Sequence, residues 1–171
     1  MGREDQIIES RIKKINELRA QGINPYPSKY VVKNYALDLH EKYKKLTKDK
    51  KTKDKVNVAG RIILKRDLGK ISFASLQDNT GRIQLVSQDG ETPSKVKEFF
   101  KKYIDAGDII GVDGIVMRTQ RGEISVLAKK ITLLSKSLLP LPEKWHGLQD
   151  KEERYRKRYL DLIMNPDVKE V

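Results

Sequence analysis

The 171-residue sequence predicts a mainly β domain with flanking helices, arranged as a five-stranded Greek-key barrel with a helix between strands three and four. Three observations lead there. The apolar period changes from helical to alternating at Val56. Three alternating runs, one amphipathic helix and two further alternating runs then follow in that order, and turn residues rich in Gly, Asn and Asp separate the runs.

Ahead of the barrel, Ile8, Ile12, Ile15 and Leu18 recur at helical spacing between Asp5 and Gln21, and Gly22 is placed to stop this helix in the left-handed region. Gly22 to Pro27 reads as a turn-rich linker. Tyr30 to Lys45 carries a second helical period, and Lys48 to Lys55, almost without apolar side chains, reads as a mobile loop. Val56, Val58, Ile62 and Leu64 make the first strand, with Gly60 at a bend. Ile71 to Asp78 and Arg82 to Ser87 are the second and third, joined by the tight turn Asp78-Asn79-Thr80-Gly81. Thr92 offers an N-cap and Pro93 a first helical position, after which Val96, Phe99, Phe100, Tyr103 and Ile104 form one apolar face ending before Gly107. Ile110, Val112 and Val116 alternate in the fourth strand, Arg121-Gly122 turns, and Glu123 to Leu134 is the fifth. This order is that of the OB-fold. The prolines of Leu138-Leu139-Pro140-Leu141-Pro142 stiffen the chain and mark a boundary. Asp150 to Met164 then reads as a charged helix stopped by Asn165-Pro166, whose Tyr155, Tyr159, Leu162 and Ile163 need something to pack against. The expected division is a helical, lysine-rich extension over 1–54, the barrel over 55–137, and a linker with its helix over 138–171.

Lys and Arg total 36 against 24 Asp and Glu, a net charge of +12, and a surface this basic points to phosphate, with nucleic acid the leading partner class. The absence of Cys excludes disulfides, thiolate zinc sites and cysteine nucleophiles, and fits a reducing compartment. No run is long and apolar enough to span a bilayer, and Glu4 and Asp5 stand where a transit peptide avoids acids, so a cytoplasmic protein with no membrane partner is expected. His40 and His146 are isolated, and no Gly-rich phosphate loop, metal-spaced cluster or nucleophile constellation is present, so no catalytic or metal residue is expected.

Residue parity sorts the strand side chains between core and surface. If Leu76, Ile83 and Leu85 face the core, Phe73 and Gln84 face outward together, the alternative for Phe73 being a core position. An exposed ring beside an amide and guanidinium groups is how such a barrel reads single-stranded bases. Arg11, Lys14, Lys44, Lys50, Lys53, Lys65 and Arg82 are the candidate phosphate contacts.

Three stretches, Gly60-Arg61-Ile62-Ile63-Leu64-Lys65-Arg66, Gly69-Lys70-Ile71-Ser72-Phe73-Ala74-Ser75-Leu76-Gln77-Asp78 and Gly81-Arg82-Ile83-Gln84-Leu85, closely resemble the N-terminal anticodon-binding domain of class II lysyl-tRNA synthetases. Leu18 to Pro27 resembles that family's N-terminal entry. Pro142 to Leu148, with Glu152-Glu153-Arg154-Tyr155-Arg156 and Arg158-Tyr159-Leu160-Asp161-Leu162, resembles its link toward the catalytic domain. The resemblance implies that Phe73 stacks on the middle anticodon base, that Gln84 hydrogen-bonds this uridine, that Arg66 contacts the same nucleotide and that Glu123 contacts an anticodon base; for Glu123 the alternative is a turn carboxylate pairing with Arg121. It further implies tRNA for lysine as partner and a role in protein biosynthesis. Catalysis would belong to a domain beyond these residues, where ATP, Mg and lysine would be used, so no cofactor is expected here. A monomer is expected for these residues and a homodimer for the full-length family. A protein-docking module and a generic single-strand binder are the rival readings.

Overall fold

Alternation of apolar and polar side chains builds most of the first unit in the computed structural model, which describes residues 2–142 and 151–165. The chain divides into two compact units, 1–139 and 140–171. In the first, α1 (Arg3–Ala20) and α2 (Ala36–Tyr43) precede β1 (Lys50–Asp67), β2 (Ile71–Gln77), β3 (Arg82–Gln88), α3 (Ser94–Tyr103), β4 (Ile109–Arg118) and β5 (Ile124–Ser135). The strands close into a barrel in the order β1-β2-β3-β5-β4. The β3–β5 pair is parallel and the other four are antiparallel. This is the OB-fold topology, with α3 between strands three and four as its sequence position requires.

The interior holds Val58, Ile62, Leu76, Val112, Val116 and Val126, each fully buried, and Phe100 of α3 closes one end. Leu18 of α1 and Ala36 and Leu39 of α2 belong to the same cluster, so the helices preceding the barrel are packed on it. Gly60 is required by contact: a Cβ there would stand 2.3 Å from the Gln77 carbonyl oxygen of β2. Gly22 ends α1 at φ +73°, the left-handed stop its position predicts. The N-terminus of α2 has no cap of its own. The turn between β2 and β3 supplies one: Asp78 Oδ2 accepts from Ala36 N at 2.7 Å and Thr80 Oγ1 from Leu37 N at 3.2 Å.

Several expectations fail for physical reasons. The lysine-rich run predicted as a mobile loop is strand from Lys50 onward, because its backbone pairs with β4, Lys50 opposite Arg118, Lys51 opposite Met117 and Lys55 opposite Ile115. The charged side chains are those of a solvated edge, and the ladder decides the conformation. Leu64, read as part of the core alternation, is 38 % exposed. The register slips between Ile62, opposite Leu76, and Leu64, opposite Ser75; this bulge at Ile63 reverses the faces of every later residue in β1. In α1 the docked face is Arg11, Ile15 and Leu18, while Ile12 is 43 % exposed. Thr92 does not cap α3, since its hydroxyl accepts from Gln88 N at 3.2 Å.

In the second unit the single helix expected over Asp150–Met164 is two: α4 (Lys151–Arg156) and α5 (Arg158–Met164), broken at Lys157 with φ −115° and ψ 49°. Asp161, fully buried, accepts from Arg154 Nε at 2.9 Å, Arg158 at 3.0 Å and Asn165 Nδ2 at 2.7 Å. Most of the linker resemblance, Glu143 to Leu148 with His146, lies outside the described residues.

Candidate nucleic-acid interface

The bulge in β1 builds one wall of a groove on the outer face of the barrel. Beyond it, Leu64 and Arg66 turn outward, and Arg66 stands directly opposite Phe73 of β2. Phe73 is opposite Val86 of β3, and Gln84, two residues earlier on the same face, is opposite Ser75 on one side and Ser125 of β5 on the other. The β4–β5 turn brings Arg121 and the exposed Glu123 to the far wall. The resulting cleft, of about 680 Å³, is lined by Arg66, Phe73, Gln84 and Glu123 together, with Arg82, Arg121 and His40 around them.

Parity places Phe73 outside the barrel interior as expected: Ser72, Ala74 and Leu76 are buried while Ile71, Phe73 and Ser75 are half-buried. The ring is not free-standing, however. It packs against a second small cluster, Val86, Met117 and Leu127, which is the apolar floor of the groove. Phe73 is thus supported by this floor while it still lines the groove, where an aromatic ring can stack on a planar ligand.

The polar groups are held by short local contacts. Ser125, fully buried, donates its hydroxyl to Gln84 Oε1 at 2.9 Å and lies 3.3 Å from the Glu123 carbonyl oxygen. The Gln84 amide therefore offers its nitrogen to a ligand. Arg118 ties the lip together, donating Nε to Gly122 O at 2.8 Å and Nη1 to Lys44 O and Leu46 O at 3.1 and 2.8 Å. Glu123 is exposed and anchored through its backbone to Thr119, whose hydroxyl accepts from Glu123 N at 3.1 Å. Arg82 donates Nε to Gln77 Oε1 at 2.6 Å, and its carbonyl accepts from His40 Nε2 at 2.8 Å.

Besides Arg82, which holds Gln77, three of the cations read as phosphate contacts have protein partners. Arg11, 7 % exposed, donates to the carbonyls of Ser137, Leu139 and Ala106. Lys14 holds both oxygens of Asp105, at 2.7 and 2.8 Å. Lys65, turned inward by the bulge, donates to the carbonyls of Phe100, Lys101 and Ile104 at the end of α3, and burial pulls its ammonium down to about 8. These three cap and dock the fold. Lys44, Lys50 and Lys53 are exposed, and Arg82 lines the groove.

Sequence reasoning missed Ser125, Arg118 and the apolar floor. Ser125 and Leu127 share one face of β5 while Ile124, Val126 and Ala128 face the interior, and all five are buried. A strand covered on both sides shows no alternation, so only the position of Ser125 two residues after Glu123 pointed to it. Among the described residues no three metal-ligating side chains cluster, and no helix is long and apolar enough to cross a membrane.

Fold and groove together define the class. Residues 56–134 match the OB-fold nucleic acid binding domain family. Over nearly its whole length the chain is also similar to lysine–tRNA ligases: 46 % identical to that of Carboxydothermus hydrogenoformans over 166 residues, covering 97 % of this chain and 33 % of the relative. It is 48 % identical to that of Lactococcus lactis, covering 92 % and 32 %, and 43 % identical to the chloroplastic/mitochondrial lysine–tRNA ligase of Arabidopsis thaliana, covering 94 % and 27 %. Residues 56–134 therefore carry an OB-fold nucleic acid binding domain, and the chain, similar to lysine–tRNA ligases over nearly all of its own length, spans about a third of the length of the curated relatives it matches.

Proposed function

We propose that the groove binds the anticodon loop of a lysine tRNA. Phe73 stacks on the middle base, Gln84 reads the edge of that uridine, Arg66 contacts the same nucleotide and Glu123 contacts an anticodon base. Lys44, Lys50, Lys53 and Arg82 hold phosphates without regard to sequence. The observation that carries this reading is the convergence of Arg66, Phe73, Gln84 and Glu123, from three strands and a turn, on one groove with an apolar floor. The ligation of lysine to tRNA that names the relatives is assigned to sequence they have beyond the span matched here, where ATP, Mg and lysine would act.

The test is equilibrium binding to a lysine anticodon stem-loop and to the same loop with its middle uridine changed to cytidine. Cytidine presents a donor where uridine presents an acceptor. A direct base contact discriminates by about 1 to 3 kcal/mol, so cytidine is expected to weaken binding roughly tenfold to a hundredfold. Gln84→Ala should remove most of that gap and leave binding through Phe73 and the phosphates. Equal binding of both loops by the wild-type protein would favour a generic single-strand binder.

A further inference from the structure

A glutamine amide is a two-sided reader. Its oxygen accepts and its nitrogen donates, the two ends are nearly isosteric, and a half-turn about the last side-chain bond exchanges them. A glutamine that is free to turn can satisfy uracil O4, an acceptor, or the amino group that cytosine carries at the same place. It reads a base edge only if something fixes which end faces the base.

In this protein the candidate for that role is beneath the reader. Ser125 sits on β5 directly opposite Gln84 in the parallel β3–β5 pair and opposite Met117 of β4, so its backbone is held from both sides. It is fully buried, and its hydroxyl has two acceptors in reach, Gln84 Oε1 at 2.9 Å and the Glu123 carbonyl oxygen at 3.3 Å. The hydroxyl has one proton, and the nearer acceptor takes it. With Oε1 engaged from below, Nε2 is the end left toward the groove. Turning the amide would set Nε2 against the hydroxyl and require the proton to move to the longer Glu123 contact.

We infer that Ser125 is a positioning residue that fixes the hydrogen-bonding polarity of the Gln84 amide, presenting a donor to the bound base and so selecting an acceptor-bearing base, uridine, over cytidine. The inference rests on the anticodon reading above and adds to it the group that gives Gln84 its sign. Its consequence is unusual: removing the hydroxyl should improve binding of the wrong loop. Without Ser125 Oγ the amide can turn its oxygen toward the amino group of cytosine.

The experiment measures binding of the uridine and cytidine stem-loops by wild type, Ser125→Ala, Ser125→Cys and Gln84→Ala, with melting curves run alongside. Wild type should prefer uridine roughly tenfold to a hundredfold. In Ser125→Ala the ratio should fall to about threefold or less, mainly because the cytidine loop binds more tightly than it does to wild type. A merely structural role for Ser125 would shift affinity for both loops together and leave their ratio unchanged. Ser125→Cys keeps the volume with a weak donor and should narrow the ratio in the same way; it decides the matter if the alanine variant does not fold. Either variant holding the wild-type ratio, or losing affinity for both loops equally, overturns the role given to Ser125. A wild-type preference for cytidine would mean that the amide is reversed and would overturn the inference while leaving the groove as the binding site. A wild type that binds both loops equally overturns the anticodon reading itself.

Discussion

Two regions of the first unit are rich in charge and differ in what their charges touch. At the barrel end where α1 docks, Lys136 is fully enclosed and donates to the Tyr103 carbonyl at 2.6 Å, Asp105 at 2.5 Å and Asp108 at 2.7 Å, while Arg11 and Lys14 complete the network from the helix. Burial raises the Asp108 carboxyl above its ordinary range. It pushes Asp105 up as well, but hydrogen bonds from Lys136 and Lys14 outweigh that and hold Asp105 below its ordinary range. On the groove face, Arg66 and Glu123 are exposed and, among the described residues, Gln84 is held through one end of its amide. The first region uses charge to fix the fold and the second keeps polar groups available to a ligand. A net charge of +12 does not distinguish them; burial and partners do.

The sharpest way to break this comparison is Lys136→Met. Removing one partner from a buried charge network leaves the others unpaired, which costs about 3 to 5 kcal/mol. The variant should melt far below wild type, yet its folded fraction at low temperature should bind the stem-loop with unchanged affinity. Weakened binding by fully folded variant would show that the two regions are not separable.

Phe73→Ala probes the groove from the other side. Loss of base stacking should weaken stem-loop binding by about 1 to 3 kcal/mol, tenfold or more. Because the ring also packs on Val86, Met117 and Leu127, stability should fall too, by about 1 to 2 kcal/mol. A fall in melting temperature with unchanged affinity would make Phe73 part of the floor and nothing more.

The sequence carried the barrel more clearly than it carried this division. Strand order, the position of α3 and the outward parity of Phe73 and Gln84 were legible because each depends on local periodicity. The Lys50–Lys55 strand was not, since its conformation comes from pairing with β4, sixty or more residues away in the chain. Arg11 and Lys65 were read as ligand contacts because a cation that caps carbonyls and one that waits for phosphate have the same letter. The bulge at Ile63 was invisible for a related reason: Gly60-Arg61-Ile62-Ile63-Leu64 supports either register, and only pairing with β2 chooses. Ser125 was hidden by burial on both faces of β5.

A smaller effect separates base reading from phosphate binding. Replacing Lys50, Lys53 and Lys55 by Gln should weaken the uridine and cytidine loops alike and reduce the slope of log affinity against log salt, by about 0.7 to 0.9 for each phosphate no longer neutralised. Each residue is exposed. An altered uridine preference at constant salt slope would mean that this edge reads bases.

The mildest test lies at the seam between the regions, where Lys65 and Arg66 are neighbours in sequence and face opposite ways. Lys65→Met should leave stem-loop affinity unchanged, whereas Arg66→Met should lower it several-fold, as expected when a charge-assisted hydrogen bond is removed. Stability should carry the Lys65 signal instead. In the folded protein its ammonium is pulled down to about 8 by burial, against an ordinary value of 10.5. Between those two values the unfolded chain holds a proton that the folded chain has released, so this site makes the protein more stable as pH rises through the window. Screening at a half-buried site keeps the gain to about 1 kcal/mol or less. The melting temperature of wild type relative to Lys65→Met should therefore move in favour of wild type from pH 7 to pH 10, and the Lys65 amine should titrate near 8 by NMR. A constant difference, or titration near 10.5, would mean that Lys65 is solvated like the lysines of the edge, and its assignment to the fold would pass back to the ligand face.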